Sequence, residues 1–296
     1  MEQTRIDLRN SLPLGPMAEP RKYGQTELSY NDYLKVPEML KLQMPLSDPE
    51  HHDELLFIII HQAYELWFKL ILHELEQSRR SMLAGQPLRA RHFVNRVVEI
   101  FRVLVGQIHI LETMDPVDFL QFRDRLSPAS GFQSMQFREL EFLCGLKDAR
   151  YFHFFQNRPD LLAILRERFL APDLREAFLA MLVKLGHTGV ASVSKAMEME
   201  IAGDPVVPGR DRLLEVLIAL YQEPSKNLEL YLLSESLVSL DQGLAHWREH
   251  HVRVVERLIG NKTGTGGSSG VGYLRATAEK KAFPILWEVR GHLKKA

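Results

Sequence analysis

Two histidines, His61 and His251, are the residues with the most chemistry to offer in this sequence. His251 lies in a stretch where Leu244, Trp247, His251, Val254, Val255 and Leu258 recur at offsets of three and four, so it points to the apolar side of a helix. His61 sits in the middle of Asp53–Phe68, a segment apolar nearly all round and therefore expected in the centre of a helical bundle. Its neighbours three and four residues away are Phe57, Ile58, Tyr64 and Glu65, a wall with few groups to satisfy an imidazole. Alone, His61 reads as a core histidine bonded to a carbonyl. As two buried-face imidazoles on separate helices, His61 and His251 could instead bracket a planar cofactor.

A glycine-dense loop, Asn261 to Gly270, follows the His251 helix directly, with Gly260 placed to end it. That much glycine permits close approach of backbone to a ligand, although a flexible connector has the same composition. It is no dinucleotide fingerprint, which needs a preceding strand and a third glycine where Ser269 stands, and no Walker loop, which needs Gly-Lys-Ser/Thr at its end. His246 and His250 are four apart, the spacing of a chelating pair. Trp247 occupies the place of the glutamate that zinc-protease motifs require, and Arg253 and Arg257 share the face, so this pair reads as a solvated charged face. Arg123 stands among Phe119 and Phe122. There it could grip a carboxylate in bidentate fashion, or fasten two helices through Asp124 or Glu139.

These side chains must be positioned by helices, because apolar residues recur at helical spacing throughout, as in Phe93, Val97, Ile100, Phe101 and Leu104. No hairpin signal interrupts them. Ser47-Asp48-Pro49-Glu50 has the spacing of a capping box that would open a helix from about His51 to the Arg79-Arg80 region. Breakers follow at Gly85-Gln86-Pro87, Asp115-Pro116, Ser127-Pro128, Ala171-Pro172, Gly203 to Gly209 and Glu223-Pro224. The expected architecture is all-α: an irregular arm over residues 1–24, carrying Pro13, Pro16 and Pro20, and one helical domain over 25–296 with a bundle at its centre. The 296 residues are 45% hydrophobic and carry 37 basic against 38 acidic side chains, which gives no electrostatic drive toward nucleic acid or an anionic membrane. With a single cysteine, Cys144, no internal disulfide is possible and no Cys-x-x-Cys-His is present. No targeting segment and no uninterrupted run of about eighteen apolar residues is read, so a cytoplasmic protein without a membrane span is expected.

Four segments taken in order carry a resemblance: Tyr30-Asn31-Asp32-Tyr33-Leu34, His52 through Trp67, Phe122 to Phe137 with its Ser-Pro-Ala-Ser-Gly-Phe-Gln-Ser core, and Gly264 to Gly270. Together they resemble the haem-dependent tryptophan 2,3-dioxygenase family over most of the chain. The resemblance implies a non-covalent b-type haem, one per subunit, with His251 as the proximal iron ligand and Ser130 at the haem edge. It implies that His61 is the distal catalytic histidine receiving the indole N–H and that Phe57 and Phe119 wall the indole pocket. Arg123 would hold the substrate carboxylate, and Thr265 the amino-acid head group. Tyr30, Tyr33 and Leu34 would reach from a neighbouring subunit to complete the site, in a homotetramer built as a dimer of dimers. The implied reaction inserts O₂ across the indole C2–C3 bond of L-tryptophan to give N-formyl-L-kynurenine, the first step of the kynurenine pathway. Two alternatives stay open: a related haem monooxygenase acting on another indole, and a haem or tryptophan sensor without turnover. Arg123, Thr265 and His61 together favour the dioxygenase, because an indole lacking a carboxylate has no need of Arg123.

Overall fold

The computed structural model describes residues 28–187, 190, 209–264 and 270–295, and among them all regular structure is helical, as the periodicity predicts. The expected arm over residues 1–24, and with it Thr265 and Ser269 of the glycine loop, lies outside the described residues. The chain divides into two compact units, one ending at Met44 and one spanning Pro45–Ala296.

The first unit contributes two short helices, α1 (Tyr30–Leu34) and α2 (Val36–Met39). Ser29 caps α1 by accepting from the Asp32 backbone N–H at 3.1 Å, and Lys35, in a left-handed conformation at φ 54°, ends α1 and begins α2. Neither helix buries a residue, and the rings of Tyr30 and Tyr33 are 74% and 72% exposed.

The second unit is built on three long helices: α3 (His52–Leu83), α4 (Pro87–Leu111) and, much later in the chain, α10 (Leu228–Ile259). Between α4 and α10 come α5 (Pro116–Arg123), α6 (Met135–Leu143), α7 (Pro159–Leu170), α8 (Leu174–Lys184) and α9 (Arg210–Gln222); α11 (Val271–Ala278) and α12 (Pro284–Glu288) follow α10. Helix α4 packs along both α3 and α10, α6 and α8 lie on α3, and α11 returns onto α10. One continuous apolar core joins them. Ile71 and Leu75 of α3, Val97 and Leu104 of α4, and Leu233 and Leu237 of α10 are all at 0% exposure within it. Helix α3 is long and apolar enough to cross a membrane by length and composition. Here Ile60, Tyr64, Phe68, Ile71 and Leu75 are buried in the bundle core, while Leu55, Ile59 and Leu66 of the same helix are exposed.

The start of α3 differs from the capping box that Ser47 and Glu50 suggest. The N-cap is His51, whose Nδ1 accepts from the Asp53 N–H at 3.3 Å, and Glu50 takes no part. The chain folds back before the helix, so the Ser47 hydroxyl accepts from the His51 N–H at 2.8 Å. The buried Glu54 carboxylate takes the N–H groups of Leu46 and Ser47 at 2.7 and 2.9 Å. A carboxylate at the helix N-terminus also suits the positive end of the helix dipole. Where α4 crosses α10 the backbones approach closely: a Cβ on Gly243 would stand 3.1 Å from the Cβ of Phe101. The C-terminal segment is fastened to α10 by the buried Asp241. Its carboxylate accepts from the N–H groups of Ala282 and Phe283 at 2.8 and 3.0 Å and from the indole of Trp287 at 2.9 Å.

Candidate functional site

A cavity of about 550 Å³, within the range of cofactor and small-ligand pockets, opens between α3, α5, α6, α10 and α11. It gathers His61 and Phe57 from α3, Phe119 and Arg123 from α5, Ser130 from the loop after α5, and His251 from α10. Residues separated by up to 194 positions in sequence thus meet because α3, α5 and α10 converge on one end of the bundle. Gly264 and Gly270, on either side of the segment carrying Thr265, also line it. Gly270 is held at φ 63°, and a Cβ there would lie 2.7 Å from the Lys262 carbonyl oxygen, so the loop returns through a position that only glycine fits.

The imidazole of His61 is accessible on the cavity wall, and desolvation by the protein around it lowers its pKa against the opposing pull of the Phe57 carbonyl and of Glu65. Its Nδ1 lies 2.7 Å from the Phe57 carbonyl oxygen. A carbonyl can only accept, so Nδ1 carries the proton and donates, and Nε2 of the neutral ring is an acceptor. The core histidine bonded to a carbonyl and the histidine that offers a lone pair are therefore one and the same. The ring packs on Phe57 with centroids 4.0 Å apart, and Phe57 stacks on Phe119 at 5.7 Å, making an aromatic wall from α3 and α5.

His251 lies flat against Trp247 one turn earlier, with centroids 5.4 Å apart and planes at 3°. Its pKa is pushed down to about 4, chiefly by burial and further by the proximity of His61 and Arg138. Among the described residues nothing hydrogen-bonds its ring. A neutral imidazole with no hydrogen-bond partner among the described residues offers a ligand atom on the cavity wall, and it would suit the iron of a porphyrin. Next to it Glu141 is flanked by two guanidinium groups, Arg138 at 2.6 Å and Arg248 at 2.5 Å. All three line the cavity, and their net positive charge suits an anionic group on an otherwise apolar ligand.

Arg123 pairs with neither Asp124 nor Glu139. Its Nη2 donates to the main-chain carbonyl of Thr263 at 2.5 Å, which ties the end of α5 to the approach of the glycine loop, while Glu139 binds Arg168. Arg123 lines the cavity, and among the described residues no carboxylate pairs with it. Ser130 caps the short 3₁₀ turn Gly131–Gln133, whose Gln133 side chain accepts from the Ser130 N–H at 3.2 Å. Tyr30, Tyr33 and Leu34 lie in the first unit.

Sequence reasoning passed over Glu65. It stands one turn after His61 and accepts from the Ser134 hydroxyl at 2.5 Å and the Gln136 amide at 2.8 Å, so it fastens the Ser-Gly-Phe-Gln-Ser loop to α3. The signal is an acid four residues from a histidine in an otherwise apolar stretch. Arg138, Glu141 and Arg248 were also missed, because nothing in the sequence separates a buried charge cluster from the charged face of an exposed helix.

The family model described as tryptophan 2,3-dioxygenase matches residues 17–185 and 209–293. A tryptophan 2,3-dioxygenase of a Nocardioides species is 45% identical over 272 residues, covering 90% of this chain and 95% of that protein. Those of Caulobacter vibrioides and Herpetosiphon aurantiacus are 42% and 41% identical, again over 90% of this chain and over 99% and 98% of theirs. A match of this extent, on a helical bundle whose cavity holds two neutral imidazoles, an arginine and a glycine-flanked rim, places the chain in the tryptophan 2,3-dioxygenase family.

Proposed function

We infer that this chain is a haem-dependent dioxygenase that inserts both atoms of O₂ across the indole C2–C3 bond of L-tryptophan, giving N-formyl-L-kynurenine. The observation that carries the reading is the pair His61 and His251 on one cavity, both neutral, one offering a lone pair and the other without a hydrogen-bond partner among the described residues. His251 would hold the iron of one non-covalent b-type haem per subunit, with Ser130 at its edge. The cationic Arg138–Glu141–Arg248 cluster supports an anionic periphery such as propionates. When bound, the haem supplies oxygen activation.

The side chains of the protein do the rest. His61 Nε2 accepts the indole N–H and orients the ring; its Nδ1–H, held by the Phe57 carbonyl, fixes that tautomer. Phe57 and Phe119 flank the indole and keep water from the reacting carbons. Arg123 holds the substrate carboxylate through donors left over from its bond to Thr263, and Thr265 takes the amino-acid head group. The exposed Tyr30, Tyr33 and Leu34 complete a neighbouring subunit's site in a homotetramer assembled as a dimer of dimers, and the protein works in the cytoplasm.

Turnover of L-tryptophan under ¹⁸O₂ tests the reading. Two labelled atoms per product are expected. One labelled atom would mean monooxygenation, and no product from haem-loaded protein that still binds tryptophan would mean a sensor.

A further inference from the structure

His250 finds its partners on another helix rather than in His246. It meets the C-terminal turn of α4, where the ligating atoms of His109, Glu112 and His250 all lie within 4.8 Å of one another. His109 Nδ1 is 2.9 Å from Glu112 Oε2, and the rings of His109 and His250 meet edge to face with centroids 5.4 Å apart. We propose that these three side chains form a divalent transition-metal site, suited to zinc, that clips the end of α4 to α10 one residue before His251.

Two imidazoles and a carboxylate are a ligand set for zinc and not for magnesium or calcium, which take oxygen ligands. Tetrahedral bonds of about 2.0–2.2 Å put neighbouring ligand atoms roughly 3.3 Å apart. Closing from at most 4.8 Å to that spacing needs only small side-chain rotations. The local field favours a cation. Glu112 caps the C-terminus of α4, at the negative end of its dipole, and among the described residues no lysine or arginine forms an ion pair with it. Arg253, the nearest arginine after His250 on α10, turns toward Glu256 at 3.7 Å. A hydrogen bond between His109 and Glu112 would account for those two groups, but it leaves the convergence of a third ligand from a separate helix without a purpose. The proton now shared by His109 Nδ1 and Glu112 would leave as the metal arrives. His109 is exposed and the other two are half-buried, so an ion can enter and a water can take the fourth position.

The proposal stands apart from the reaction assigned to the cavity. Haem-loaded protein is titrated with zinc in competition with a chromogenic chelator. One saturable equivalent per chain is expected, with affinity falling tenfold or more in His109→Ala, Glu112→Gln and His250→Ala. His246→Ala, which removes an exposed histidine of the same helix, should bind as the parent does. Zinc should raise the melting temperature of the parent but not that of His109→Ala. If His250→Ala fails to fold, the two α4 variants decide the matter. Absence of saturable zinc, equal affinity in His109→Ala and parent, or binding lost only in His251→Ala would each overturn the site.

Discussion

Individual side chains in the cavity divide the labour by which of their atoms are already engaged. His61 spends Nδ1 on the Phe57 carbonyl and keeps Nε2, whereas His251 has no hydrogen-bond partner among the described residues. His251→Ala is therefore expected to lose most of its haem, while His250→Ala, one residue away, should retain it; the Soret band per chain is the measurement. Arg123 is half-committed to Thr263, so Arg123→Ala removes both a substrate contact and a tie to the glycine loop. Losing one partner of a desolvated charge pair costs on the order of 2–5 kcal/mol. The kcat/KM for L-tryptophan should fall accordingly, and plain indole should lose far less binding; equal losses would make Arg123 structural. For His61→Ser a slower but measurable rate is expected, because orientation is lost and no proton abstraction is required. In that enlarged pocket 1-methyltryptophan should gain relative to tryptophan, and complete inactivity with haem and substrate still bound would make His61 an obligatory base.

Helices show where sequence reading succeeds and where it stops. The stripe through Leu244, Trp247, His251, Val254 and Leu258 placed His251 on the inward face of α10, and Gly260 ended the helix as expected, at φ 57°. Helix α3 begins at His52, where the sequence places it, but its cap differs: Ser47 and Glu50 have capping-box spacing, while the loop instead folds back onto Glu54. That choice depends on three-dimensional closure, which spacing does not encode. The partner of Arg123 was equally hidden: it is a main-chain carbonyl 140 residues away, and a carbonyl leaves no mark in a sequence. Charged contacts between helices are similarly illegible but testable. Arg168 of α7 bridges Glu76 of α3 at 3.1 Å and Glu139 of α6 at 3.4 Å. Burial alone would raise the Glu76 carboxyl, but Arg79 and Arg168 outweigh it and hold its pKa down at about 2. A carboxyl depressed on folding contributes stability above its unfolded value, near 4.5, which is lost as pH falls toward 2. Arg168→Met should thus lower the melting temperature at pH 7, and its deficit should shrink across that interval; a deficit constant with pH would locate the effect in packing.

For the molecule as a whole, the first unit poses the question of assembly, since α1 and α2 bury nothing of their own. If Tyr30, Tyr33 and Leu34 serve a neighbour, removing residues 1–34 should leave a helical, haem-binding protein with poor affinity for tryptophan. Subunit exchange between that truncation and full-length Arg123→Ala should restore some activity, because an intact Arg123 then meets an intact α1 from another chain. Hetero-oligomers without recovery would assign the segment to its own chain's site. At the opposite end, Asp241 has a consequence for how the protein is made. Until Ala282, Phe283 and Trp287 have left the ribosome, this carboxylate on α10 has none of the three donors that satisfy it. An uncompensated buried charge costs several kcal/mol, and α10 also carries His251. A chain cut short before Ala282 would therefore carry an unpaired carboxylate on the same helix that presents His251 to the cavity.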